Sequence, residues 1–133
     1  GFFITTFQQK TLDNSFIDSG SNGLYFPNTT SPIALCGAAG TSAANFYCPS
    51  TTVSLTATNQ GQDGATSSIS FHIASLNGIS GANFALDDVG GPAPQIAGWS
   101  YFDWGLPFFY GRTVFTALEG TTAGGIEGPF YAY

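Results

Sequence analysis

The chain has 133 residues and a mass of 13.8 kDa, one domain's worth, and 43% of it is hydrophobic with 13 Phe, 6 Tyr and 2 Trp, which excludes disorder. Charged residues are only 8%, and the two basic ones, Lys10 and Arg112, stand against a net charge of −6. That balance excludes a nucleic-acid binder and a polybasic membrane surface, and no run of about 18 apolar residues offers a membrane span.

In chain order the sequence reads as strands and turns. Phe2 to Phe7 and Asn14 to Ile17 are β-rich runs joined across Gln8–Asp13 as a hairpin. Leu24-Tyr25-Phe26 follows a Gly-rich turn and stops at Pro27. Thr51 to Ala57 and Ser68 to Ile73 alternate polar and apolar residues, the period of a strand with one buried face, and Gly61 to Gly64 supply the turn between them. Phe84-Ala85-Leu86 is a shorter strand candidate, and Gly90 to Gly98 is a Pro/Gly-rich loop. Leu106 to Tyr110 is the one helical segment expected, with Pro107 where a first helical turn tolerates it. Thr113 to Leu118 and Pro129 to Tyr133 form a last hairpin around a Gly-rich connection. The expected fold is a single all-β, barrel-like lobe over residues 1–133.

Low charge, abundant Ser, Thr, Asn and Gly, and two cysteines point to an extracytoplasmic protein: secreted, periplasmic or on the cell surface. Cys36 and Cys48 flank a Gly/Ala/Ser-rich loop with no His or Cys pair to complete a zinc site, so a disulfide is expected, worth about 3 kcal/mol in the chain-entropy model. The chain contains no Met and is expected to be part of a longer protein.

Few residues carry chemistry. The only histidine, His72, lies on the polar face of its strand, and no G-x-S-x-G elbow accompanies it, which speaks against a Ser-His-Asp triad. Asp87-Asp88 reads as a solvated turn, and no metal or cofactor is expected. Asp18 is different: it ends an apolar strand and begins Asp18-Ser19-Gly20-Ser21, a turn in which Gly20 lets the backbone approach and donate N–H bonds to the carboxylate while Ser19 and Ser21 bond around it.

The string Phe16 to Phe26 resembles the active-site strand and loop of pepsin-like aspartic proteases. Tyr101 to Phe115 resembles that family's closing element, in which an apolar pair and Gly precede a short helix and a strand. With Phe46-Tyr47-Cys48-Pro49 and Phe102-Asp103-Trp104-Gly105-Leu106-Pro107-Phe108-Phe109, the pattern is similar to an uncharacterised bacterial family related to these retropepsin-like folds, in which a first lobe with its own Asp-Thr-Gly precedes such a lobe. Two departures stand out. Asp103-Trp104 replaces the apolar pair before Gly105, and the chain has one Asp-Ser-Gly.

The resemblance implies a C-terminal lobe of a pepsin-like protease, closed by its C-terminal hairpin. In it Asp18 is half of a catalytic dyad, Ser19 ties the two active-site loops together, Ser21 fixes the outer carboxylate oxygen, and Asp103, Trp104 and Gly105 form the flanking strand. Asp103 is expected near Asp18 without bonding to it. Aspartic catalysis needs two carboxylates sharing a proton, so the second comes from an N-terminal lobe or a second protomer, and the isolated monomer is expected to be inert. The partner is then a peptide or protein substrate. A protease fold serving as a surface, adhesive or assembly module is the alternative, and a glycosidase-like pair of Asp18 and Asp103 finds no supporting motif.

Overall fold

The computed structural model describes residues 1–28, 32–38, 40–79, 82 and 85–133. Among them the chain is all-β, with 3₁₀ turns in place of longer helices. Strand β1 (Phe3–Phe7) returns as β2 (Lys10–Ile17), and β3 (Leu24–Phe26) follows the Asp-Ser-Gly turn. Next come the long pair β4 (Val53–Gln60) and β5 (Thr66–Ile73), then β6 (Gly90–Pro92) and β7 (Asp103–Trp104). These seven form one nearly closed, barrel-like sheet in the order β5-β4-β1-β2-β7-β3-β6. At the C-terminus β8 (Phe115–Ala117) pairs with β11 (Phe130–Ala132), and β9 (Thr122–Ala123) pairs with β10 (Ile126–Glu127) inside that hairpin.

The period-two reading holds best along β4 and β5, which pair antiparallel from Val53↔Ile73 to Gln60↔Thr66. Ile69, Phe71 and Ile73 are buried, while Ser68, Ser70 and His72 face solvent and meet Thr58, Thr56 and Ser54 across the ladder. Leu106–Phe109 is a single 3₁₀ turn with Pro107 in its first positions.

Three expectations need correction. The first connection is not a six-residue loop: β2 starts at Lys10, and Gln8-Gln9 alone make the turn, with φ of 47° and 64°. Both residues take the left-handed conformation of a two-residue hairpin, normally signalled by Asn-Gly, so the sequence hides it. The stretch from Gly90 is not all loop. Gly90–Pro92 runs parallel to β3, and a Cβ on Gly91 would overlap the carbonyl oxygen of Asn45, so glycine here permits close packing. Of Phe84-Ala85-Leu86, Phe84 lies outside the described residues, and Ala85 and Leu86 belong to no strand.

The core is aromatic. Phe102 and Trp104 stack with centroids 4.0 Å apart, and Phe7, Phe26, Phe71 and Phe108 pack around them. A chain of paired polar groups runs through it. The indole N–H of Trp104 donates to Thr5 Oγ1 (3.3 Å), Thr5 donates to Asn59 Oδ1 (2.7 Å), and Asn59 Nδ2 donates to the Tyr133 hydroxyl (3.2 Å).

Cys36 and Cys48 form the expected disulfide. Beside it the N–H of Cys36 donates to Phe46 O and that of Cys48 to Ala34 O. The bond closes a loop with a sequence separation of 12. Reduction should therefore lower the unfolding free energy by about 3 kcal/mol, read from denaturant curves with and without reductant. Thiol labelling of the native, unreduced chain should find no free cysteine.

Candidate functional site

The site is built where β7 slots between β2 and β3. β7 runs parallel to β2 (Phe16↔Asp103, Ile17↔Trp104) and antiparallel to β3 (Leu24↔Trp104, Tyr25↔Asp103). The ladder continues one residue past β2, where the N–H of Asp18 donates to Trp104 O at 3.0 Å. Asp18 therefore leaves the sheet with its backbone still held by the central strand. The turn closes with the N–H of Ser21 on Asp18 O (3.2 Å), and Leu106 N–H donates to Ser21 O (2.7 Å), tying the far side of the turn to the 3₁₀ segment.

Gly105 makes this approach possible. A Cβ there would overlap the carbonyl oxygen of Gly23 and lie 2.7 Å from that of Ser21. Its need is steric rather than conformational.

Within the turn the N–H of Gly20 donates to Asp18 Oδ1 at 2.7 Å. The Ser21 hydroxyl oxygen lies 3.1 Å from Asp18 Oδ2 and 2.6 Å from Asp103 Oδ2. The two carboxyl groups make no direct hydrogen bond; they meet at a single hydroxyl. Asp18 is half-buried, Ser19 and Gly20 are exposed, and Asp103 is only 7% exposed. Its second oxygen, Oδ1, is buried with no hydrogen-bond partner among the described residues. Burial therefore dominates the Asp103 carboxyl, the Ser21 hydrogen bond opposes it and the Asp18 charge adds to it, raising its pKa from 3.8 to about 6. The phenols of Tyr25 and Tyr101 are raised first by burial and then by the charge of Asp103. Tyr131 is raised by burial and then by Asp18, and its hydroxyl bonds Ile17 O at 3.3 Å.

Of the residues singled out in the sequence, Asp18, Gly20, Ser21, Asp103 and Gly105 come together here, while Trp104 points into the core. Ser19 sits exposed on the turn, and among the described residues its side chain makes no hydrogen bond. His72 bonds Ser54 at 3.1 Å, away from this set. Sequence reasoning missed the depth of Asp103 and the second contact of Ser21. The available signal was an aspartate inside the aromatic string Tyr101-Phe102-Asp103-Trp104.

A family model described as "Protein of unknown function (DUF3443)" matches residues 1–133. The chain belongs to this family. Neither a curated protein nor a solved structure matches it.

Two consequences follow from the geometry. A Gly105→Ala substitution should cost about 3 kcal/mol or more, because its methyl meets backbone that cannot rotate away; denaturant unfolding measures this. Asp103 makes stability pH-dependent in a defined sense. Its folded pKa lies above the unfolded one, so the native state binds the extra proton between them. Stability should fall as pH rises from about 4 to about 6, by on the order of 3 kcal/mol, and Asp103→Asn should remove that loss.

Proposed function

We propose that this chain is one lobe of a pepsin-like acid endopeptidase and supplies one of the two reacting aspartates, Asp18. The observation that carries the reading is the treatment of the Asp18 carboxylate. It stands on an accessible turn, one oxygen accepts the Gly20 N–H, and the other meets the Ser21 hydroxyl. These contacts orient a carboxylate without covering it. The threading of β7 between the strands on either side of the turn supports the same reading, as does Gly105 at the close approach.

Peptide-bond hydrolysis by this chemistry uses one carboxyl as base toward water and a second as acid toward the substrate, the pair holding one proton. Asp103 does not fit the role of that second group, because only 7% of it is exposed and its Oδ1 is buried. The second outward-facing carboxylate then comes from another lobe or from a second copy of the chain across a two-fold axis, with the exposed Ser19 placed to tie the two turns together. The substrate is an extended peptide lying between the lobes. The disulfide suits an oxidising, extracytoplasmic compartment.

A catalytically silent surface or assembly module is the second reading, favoured by Phe115, Leu118 and Ile126, which stand more than 60% exposed along the C-terminal hairpin.

The test is peptide cleavage at acidic pH, followed against chain concentration and in a protein that joins this lobe to one with its own Asp-Thr-Gly. The monomer should be silent, the assembled form should cleave and be blocked by pepstatin, and Asp18→Asn should abolish cleavage. Cleavage that survives Asp18→Asn removes the mechanism. An assembled protein that is folded but silent favours the second reading.

A further inference from the structure

We infer that Asp103 is a positioning residue that holds a proton for Asp18: the two carboxyl groups share it through the Ser21 hydroxyl, with Asp103 as the neutral acid and Asp18 as the carboxylate. Its catalytic meaning rests on the reading of Asp18 as a reacting aspartate, but the proton sharing itself does not.

The argument is a count of hydrogens. A serine hydroxyl has one proton to donate, and an ionised carboxylate can only accept. Ser21 Oγ has a carboxyl oxygen within hydrogen-bond distance on each side, Asp18 Oδ2 and Asp103 Oδ2. With both groups ionised, one of these contacts sets oxygen lone pairs against each other. One added proton satisfies both: a carboxylic O–H donates to Ser21 Oγ, and the Ser21 O–H donates onward.

Burial decides which end holds the proton. Asp18 is half-exposed, and its Oδ1 accepts the Gly20 N–H. Asp103 is buried, and its Oδ1 has no donor among the described residues, so a charge there is left uncompensated. The groups around it supply no cation. Ser21 and Asp18 face it from the turn, and Tyr25 and Tyr101 from β3 and the segment before β7. Tyr131 faces Asp18 from β11. Leu106–Phe109 has no titratable side chain. Of the two basic residues, Arg112 is held on Phe108 O at 2.8 Å, and Lys10 stands at the far end of β2, roughly 25 Å of strand away.

In an assembled dyad this arrangement makes Asp18 the ionised member, the base toward water, and leaves the acid role to the carboxyl from the other side. The aspartate that interrupts the apolar pair before Gly105 is thus a charge-setting device for the turn above it.

Carbon-detected NMR of the side-chain carboxyls in the folded 133-residue chain tests this without any peptidase assay. Asp103 should keep its proton while exposed carboxyls ionise and release it only above the ordinary carboxylate range. Asp18→Asn, which removes the neighbouring negative charge, should shift that release to lower pH. Asp103→Asn keeps a donor toward Ser21 and should leave the Asp18 carboxyl chemical shift unchanged at a pH where Asp103 holds its proton, whereas Asp103→Leu, which has none, should displace it. The inference is overturned if Asp103 ionises together with the surface carboxyls, or if the Asn and Leu variants give the same Asp18 carboxyl chemical shift. Should either variant not fold, the wild-type and Asp18→Asn titrations still decide. A shared proton in a protein that never cleaves peptides would sink the peptidase reading and leave this one standing.

Discussion

The structure depends on a two-residue strand reaching its place. Asp103-Trp104 pairs with β2 on one side and β3 on the other, and without it the sheet falls into two pieces at the site of the Asp-Ser-Gly turn. Three consecutive residues do three different things. Trp104 stacks on Phe102 at the centre of the aromatic core, Asp103 lies beneath the turn, and Gly105 lets the backbones of Ser21 and Gly23 come close. Core packing and site geometry are therefore one constraint. A change that shifts Trp104 in the core also shifts the partner of Ser21. The pairing is non-local on both sides, parallel with β2 and antiparallel with β3, so β7 can dock only after most of the chain has been laid down.

The interior treats its polar groups in two ways. The chain from Trp104 through Thr5 and Asn59 to Tyr133 is closed, each buried donor meeting an acceptor. Such a network fixes strand register by making any slip cost unpaired groups. On the other side of the same strand Asp103 Oδ1 is left without a partner among the described residues. A protein that satisfies buried polar groups so thoroughly a few ångströms away leaves one open where it meets the candidate site. Departures of that kind belong to functional positions more than to structural ones, because a hydrophobe would pack there without the desolvation cost.

Much of this was legible in the sequence, for identifiable reasons. Strands with one wet face announce themselves by alternation, so β4, β5 and their turn read correctly. The Asp18 turn was legible because Gly20 and Ser21 follow it at spacings that only a tight turn can use. The turn at Gln8-Gln9 was hidden because its left-handed backbone is carried by residues that rarely adopt it. β6 was hidden because Gly-Gly-Pro has no strand signature of its own, and its place is set by what it packs against, β3 and Asn45. The depth of Asp103 was hidden for a similar reason. A strand in a sheet with one wet face exposes alternate residues, whereas a strand covered on both faces buries all of them, and nothing local says which of the two a pair of residues will be.

Burial on both faces of β7 explains the division between the two aspartates. Asp18 lies one residue past the end of its strand, so its backbone is held by the sheet while its side chain reaches solvent. Asp103 lies inside the sheet and reaches only the underside of the turn. One carboxyl is open to solvent and the other lies beneath it, and a hydroxyl with one proton stands between them. Had the position of Asp103 held a leucine, Ser21 would still orient Asp18, but nothing beneath the turn would respond to its charge. With an aspartate there, removing a charge from Asp18 changes the cost of one at Asp103, and the reverse. The turn thus carries its own electrostatic counterpart in the strand below.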